Sequence, residues 1–136
     1  MDAFDLERAS RRELELYREL TATYRALAAE IAGGCEVDAA RARAESVVDE
    51  LRRLGQLLAP SRLAGDPVPA GVAALWRASA ALAAEAARAN AELVDAARAR
   101  QQAIRGRLTG IQTGRRALGA YRPAVAQGGA VARRTA

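Results

Sequence analysis

The sequence predicts an all-α protein, in which an antiparallel helical hairpin is followed by a long third helix in an elongated three-helix bundle with a flexible basic C-terminal tail. Composition is the first reason, because 36 of the 136 residues are alanine and only 4% are aromatic, which favours helix over sheet. The second reason is that apolar residues recur every three or four positions. The third is that glycine and proline cluster at breaks between these periodic segments.

The first periodic segment predicts a helix over residues 2–32. Its apolar seam, which recurs at heptad spacing, consists of Tyr17, Leu20, Tyr24, Leu27 and Ile31. Gly33 and Gly34 follow and can supply the left-handed conformation that commonly ends a helix.

The second segment predicts a helix over residues 37–58. Its three-four alternation is unbroken and comprises Val37, Ala40, Ala44, Val47, Leu51, Leu54 and Leu58. Because only residues 33–36 separate it from the first helix, the two are expected to lie antiparallel as a hairpin.

A stretch rich in proline and glycine, from Pro60 to Gly71, predicts a loop of about ten residues. A third helix is expected over 70–105 with a weak extension to 122, because each glycine beyond residue 105 costs a helix up to about 1 kcal/mol. Residues 1–122 then form a single helical domain, and the small, basic segment 123–136 is expected to be disordered.

Asn90 lies on the apolar stripe of the third helix. This stripe comprises Val72, Leu75, Ser79, Leu82, Ala86, Asn90, Leu93, Ala97, Gln101, Ile104, Leu108 and Ile111. A buried asparagine can set the register of a bundle, and the alternative is that Asn90 holds the backbone of a partner.

Charge is distributed unevenly along the chain. Residues 1–95 carry a net charge of −4, whereas residues 96–136 hold nine arginines and no acid. Within this basic part, Ile104, Leu108, Ile111, Leu118 and Tyr121 are expected on one helix face. Such a basic amphipathic element could fold back on the hairpin, lie on an anionic membrane, touch nucleic acid, or take an amphipathic helix from a partner.

No motif for catalysis is present. Histidine is absent and Cys35 is the one cysteine, so the commonest general base and zinc ligand are missing and the thiol has no histidine to activate it. No glycine-rich phosphate loop is found. We therefore expect a protein that is not an enzyme and has no catalytic residues, metal, cofactor or small-molecule substrate.

The acidic N-terminal residues lack the apolar core of a signal peptide, and no stretch reaches the roughly 18 to 20 apolar residues of a membrane span. A lone cysteine gives no disulfide and no indication of an oxidising compartment. The expected location is the cytoplasm.

The chain resembles the FlgN-like export chaperones for the hook-filament junction proteins of the bacterial flagellum. The resemblance rests on a hairpin of leucine heptads, a Pro/Gly loop, a long helix with NAELVDAARAR over residues 90–100, and LGAYRP over residues 118–123. The family places an asparagine followed by aliphatic residues in this helix and a tyrosine near a glycine close to its end. These positions map onto Asn90, Leu93, Val94 and Tyr121.

The resemblance implies a chaperone without ATPase activity. It would bind the C-terminal helical region of a junction protein and deliver it to the flagellar type III export apparatus. The expected partner-binding residues are Asn90, Leu93, Val94, Ala97, Ile104, Leu108, Ile111, Leu118 and Tyr121.

Two alternatives from other classes remain. The basic tail could bind nucleic acid or an anionic membrane, although lysine is absent and Tyr121 is the one aromatic residue of the basic region. The heptads could instead form a structural coiled-coil oligomer, although each seam spans only about three heptads.

Overall fold

The computed structural model describes the backbone of residues 1–135 and the side chains of residues 1–121. Three helices account for the described chain: α1 (Ala3–Gly33), α2 (Asp38–Leu63) and α3 (Ala70–Thr135). The predicted all-α class is therefore confirmed, and no strand occurs over residues 1–135.

Both ends of α1 are capped. The Asp2 carboxylate accepts a hydrogen bond from the backbone N–H of Asp5 at 2.8 Å, which satisfies an otherwise unpaired donor of the first turn. At the other end Gly34 has φ 76° and donates to the Ile31 carbonyl, while Cys35 donates to the Glu30 carbonyl. Helix α1 thus ends at the double glycine, as predicted.

Helix α2 runs through Pro60 to Leu63, so the predicted boundary at residue 58 and the placement of Pro60 in a loop were wrong. A proline in a helix removes one backbone hydrogen bond. Tertiary contacts hold the last turn nonetheless, because Leu58 is fully buried and the Arg62 guanidinium pairs with the Glu13 carboxylate of α1. These contacts were not visible in the local sequence.

Helix α3 begins at Ala70, as predicted, and continues through the glycines of residues 106–119. The chain divides into two compact units, Met1–Arg98 and Ala99–Ala136. The disordered tail predicted over 123–136 lies outside the residues with described side chains. That tail and the domain limits of 1–122 stay predictions.

In the unit Met1–Arg98, the helices form an up-down-up bundle. Arg12 of α1 pairs with Glu50 of α2 and Glu19 pairs with Arg43, so residue numbers rise on one helix as they fall on the other. Helix α3 runs the opposite way to α2, since Trp76 donates a hydrogen bond to Ser10 near the start of α1 and Leu93 lines a groove with Leu27 near its end. The predicted antiparallel hairpin is therefore present.

Two core clusters stabilise this bundle. The first is built on Leu16, Leu20, Leu27, Ala44, Val47 and Ala86. The second, built on Leu6, Leu58 and Val72, has Trp76 packed against it. Large aliphatic side chains supply most of the burial free energy, whereas the buried residues of α3 are mainly small: Val72, Ser79, Ala86 and Ala89.

The seam of α1 begins earlier than the apolar pattern predicted. Ser10 and Glu13 are both buried, and together with Leu6 they continue the three-four spacing back toward the helix start. The apolar pattern did not reveal this extension because two of the three residues are polar.

Candidate protein-binding surface

An exposed apolar stripe lies along α3 in the unit Ala99–Ala136. It comprises Ile104, Leu108, Ile111 and Leu118, whose exposed fractions range from 43% to 65%. Spacings of four, three and seven residues place these side chains within about 80° of arc on a straight helix. Large aliphatic residues concentrated on one exposed face are typical of a surface that packs against another helix.

Tyr121 is also exposed, at 70%, but it lies on the flank of the apolar stripe. Its position is three residues beyond Leu118, which turns its side chain about 60° away from that leucine. On a straight helix Tyr121 thus lies beside the face of the four aliphatic residues, and its role in partner binding stays a prediction. A seven-residue pattern drifts around a straight helix of 3.6 residues per turn.

Arginines share the face of the apolar stripe. Residues 99–121 contain five arginines and no acid. Arg115 falls between Ile104 and Leu108 in direction, about 20° from each, and Arg107 lies about 60° from Ile104 on the other side. No arginine of residues 99–121 takes part in an ion pair with a described side chain.

The other four predicted binding residues lie in the unit Met1–Arg98, and the structure gives them different environments. Leu93 packs against the first core cluster, so part of its side chain stabilises the bundle. Ala97 is half-buried and Val94 is 39% exposed. Val94 is therefore the most accessible aliphatic residue of this group.

Asn90 is exposed, whereas its neighbour Ala89 is 2% exposed and takes the buried position of that turn. This excludes the alternative in which a buried Asn90 sets the register of the bundle. The carboxamide instead borders a groove of about 270 Å³ that Tyr17, Leu20 and Tyr24 also line.

A polar network, which the sequence analysis did not find, links the three helices within the bundle. Arg62 donates to both oxygens of Glu13, at 3.1 and 2.5 Å, and its guanidinium lies 5.2 Å from the centroid of the Trp76 ring. Trp76 in turn donates its indole N–H to the Ser10 hydroxyl at 2.9 Å. The bidentate pair and the cation–π contact join the end of α2 to α1 and α3.

Two further side chains border this network. Burial raises the pKa of the Tyr17 phenol, the Glu13 carboxylate raises it further, and Arg62 lowers it. Ser79 is 3% exposed, and its hydroxyl has no hydrogen-bond partner among the residues with described side chains. Both residues line a groove of about 200 Å³ beside Glu13 and Arg62.

A larger groove, of about 740 Å³, lies between α1 and α2. Its lining includes Ala9, Leu54 and Leu57, and Leu57 is 52% exposed. Arg12 at its rim is hydrogen-bonded to Glu50, which raises the pKa of Arg12 and lowers that of Glu50. Leu57 lies one position off the α2 seam, which agrees with its exposure, and it was not among the predicted binding residues.

Over the described residues, no cluster of three or more histidine, cysteine, aspartate or glutamate side chains is arranged to hold a metal ion. Cys35 is a free, exposed thiol. None of the described helices combines the length and the apolar character needed to cross a membrane.

Comparisons with known protein families, with curated proteins and with solved structures found no match to this chain.

Proposed function

We propose that the protein is a cytoplasmic, non-enzymatic export chaperone of the FlgN-like type, which binds the C-terminal helical region of hook-filament junction proteins and delivers them to the flagellar type III export apparatus. The resemblance of residues 90–100 and 118–123 to that family supports the identity of the partner. The exposed apolar stripe on α3 supports the mode of binding.

The observation that carries the proposal is the exposure of four large aliphatic side chains on one face of a helix. Leu108 and Ile111 are 54% and 53% exposed, although similar residues of α1, such as Leu16 and Leu20, are buried. Covering apolar area contributes roughly 25 cal/mol per Å². A partner helix with apolar residues at positions i, i+3, i+4 and i+7 would supply a matching face.

The positive charge of residues 99–121, which contain no acidic residue, also favours a second candidate function, the binding of nucleic acid or an anionic membrane. Five arginines without carboxylate partners would attract phosphate groups. Phosphate contacts leave the aliphatic side chains of the apolar stripe unused, however, and Tyr121 is the one aromatic ring that residues 99–121 offer for base stacking. We therefore prefer the protein partner.

The test is co-purification of the tagged full-length chain with junction proteins from the source cell, identified by mass spectrometry. Leu108→Glu is the test variant and Thr109→Glu is its matched control. Both positions are exposed on the same helix, but Thr109 lies about 100° around it from Leu108. Each variant is examined at low salt and at about 0.5 M salt, where surface charge is largely screened.

We expect the wild-type chain and Thr109→Glu to retain a junction protein at both salt concentrations. Leu108→Glu should weaken binding at least about tenfold, because it places a charge in the apolar contact. If Leu108→Glu retained the junction protein, the binding site would lie outside the apolar stripe. Recovery of only nucleic acid or lipid, released at high salt, would overturn the proposal in favour of the basic alternative.

A further inference from the structure

The apolar stripe contains a charged position. In sequence it reads Ile104, Leu108, Ile111, Arg115, Leu118, so Arg115 occupies the place where the three-four spacing calls for a fourth aliphatic residue. Its side chain is exposed. A helix that covers the stripe from residue 104 to residue 118 must therefore also cover this guanidinium.

Arg115 has no carboxylate within its own segment. In α2, by contrast, Arg41 is paired with Glu45 four residues away and Arg52 with Asp49 three residues away. Residues 99–121 hold no acid. Covering an arginine with an apolar surface is costly unless a carboxylate accepts its hydrogen bonds, so the missing acid must come from the molecule that binds.

We propose that the apolar stripe binds an acidic amphipathic helix, in which a carboxylate of the partner pairs with Arg115 while aliphatic side chains cover Leu108 and Ile111. This inference rests on the proposed function and specifies the chemistry of the helix that is bound. Arg107, about 80° from Arg115 on the opposite flank of the apolar stripe, offers a second position for a carboxylate. An Arg–carboxylate pair is frequently bidentate, which adds specificity to the contact.

The position of Arg115 on the apolar stripe also argues against a membrane as the surface that the stripe binds. An amphipathic helix that lies in a bilayer buries its apolar face among acyl chains and keeps its cations on the polar face. Here Arg115 is centred on the apolar face, where burial in hydrocarbon is unfavourable. A protein helix can place a carboxylate there and a lipid chain cannot.

The experiment measures the affinity of the full-length chain for two labelled synthetic helices by fluorescence anisotropy at about 0.15 M salt. Both peptides are three heptads long and share the same leucines at the a and d positions. One carries glutamate and the other lysine at the flanking e and g positions. Phosphatidylglycerol vesicles are titrated in parallel.

Arg115→Glu and its neighbour Arg116→Glu form the matched pair of variants. They make the same change in net charge, but Arg116 lies about 100° around the helix from Arg115. We expect the wild-type chain to bind the glutamate peptide at least about tenfold more tightly than the lysine peptide. Arg115→Glu should abolish or reverse that preference, whereas Arg116→Glu should change either affinity by less than about threefold.

Several results would overturn the inference. Equal affinity for both peptides, lost in Leu108→Glu, would show an apolar contact without charge selection and would leave the proposed function intact. If Arg115→Glu and Arg116→Glu lowered the preference for the glutamate peptide equally, that preference would depend on net charge alone and not on the position of Arg115. Failure of the wild-type chain to bind the glutamate peptide, or tighter binding to vesicles than to that peptide, would also contradict it. Co-purification of a junction protein decides the proposed function separately.

Discussion

Glu13 is the one charged side chain buried within residues 1–121, and its environment shows why a polar residue can lie in a helix seam. Its carboxylate is matched by both terminal nitrogens of Arg62. The Arg62 guanidinium in turn lies over the Trp76 ring, 5.2 Å from its centroid. The charge is thus removed from water only where a partner replaces the lost hydration.

Arg62→Met should destabilise the bundle, because it keeps most of the aliphatic stem but leaves the Glu13 carboxylate buried without a partner. We expect the free energy of unfolding to fall by about 3 kcal/mol, since a third of the Arg62 side chain is exposed and water screens part of the pair. Urea unfolding followed by circular dichroism measures the change.

Arg43→Met is the matched control, because Arg43 also pairs with a glutamate of α1 but is 69% exposed. Its effect should stay below about 1 kcal/mol. Equal losses in the two variants would contradict the assignment of a special role to the buried pair.

Among the helices, α3 has the most glycines in its interior, with one every four or five residues from Gly106 to Gly119. Gly110 lies in the middle of the exposed segment of α3, and a Cβ added there meets nothing within 4 Å. Gly34, which ends α1, has φ 76°, a conformation that side chains with a Cβ rarely adopt. The same substitution should therefore have opposite effects at the two positions.

Gly110→Ala should stabilise the helix around residues 99–121 by up to about 1 kcal/mol, and Gly34→Ala should destabilise the hairpin by about 1 kcal/mol. Hydrogen exchange of backbone amides near residue 110 measures the first effect and thermal unfolding measures the second. Faster exchange in Gly110→Ala would contradict the view that this glycine only weakens the helix.

The bundle has a buried core, whereas the exposed segment of α3 over residues 101–121 has none. Every residue of both core clusters lies between Leu6 and Leu93, inside the unit Met1–Arg98. Residues 101–121 are exposed throughout. We therefore expect the bundle to fold without the residues that follow Arg98.

A chain ending at Arg98 should unfold within about 4 °C of the full-length chain, which corresponds to less than about 1 kcal/mol for a domain of this size. A chain ending at Arg88 is the control, because it lacks the buried Ala89 and the half-buried Leu93, and its midpoint should fall further. Scanning calorimetry measures both. A large loss in the chain ending at Arg98 would show that residues 99–136 stabilise the bundle.

The three helices, the glycine cap of α1 and the antiparallel hairpin were predictable because they depend on local properties. Heptad spacing, helix propensity and the short connection over residues 34–37 act within one or two helical turns. The exposed stripe from Ile104 to Leu118 was predictable for the same reason, since a helix repeats its faces whether or not anything covers them.

The sequence by itself thus determined the helical class and the apolar face of the second half of α3. Only the tertiary structure decided that Pro60 lies inside α2, that Ala89 and not Asn90 is buried, and that Ser10 and Glu13 lie in the core. Each of these outcomes depends on contacts between residues far apart in the chain, such as Arg62 with Glu13 and Trp76 with Ser10. These contacts supply hydrogen bonds and packing that override local preference.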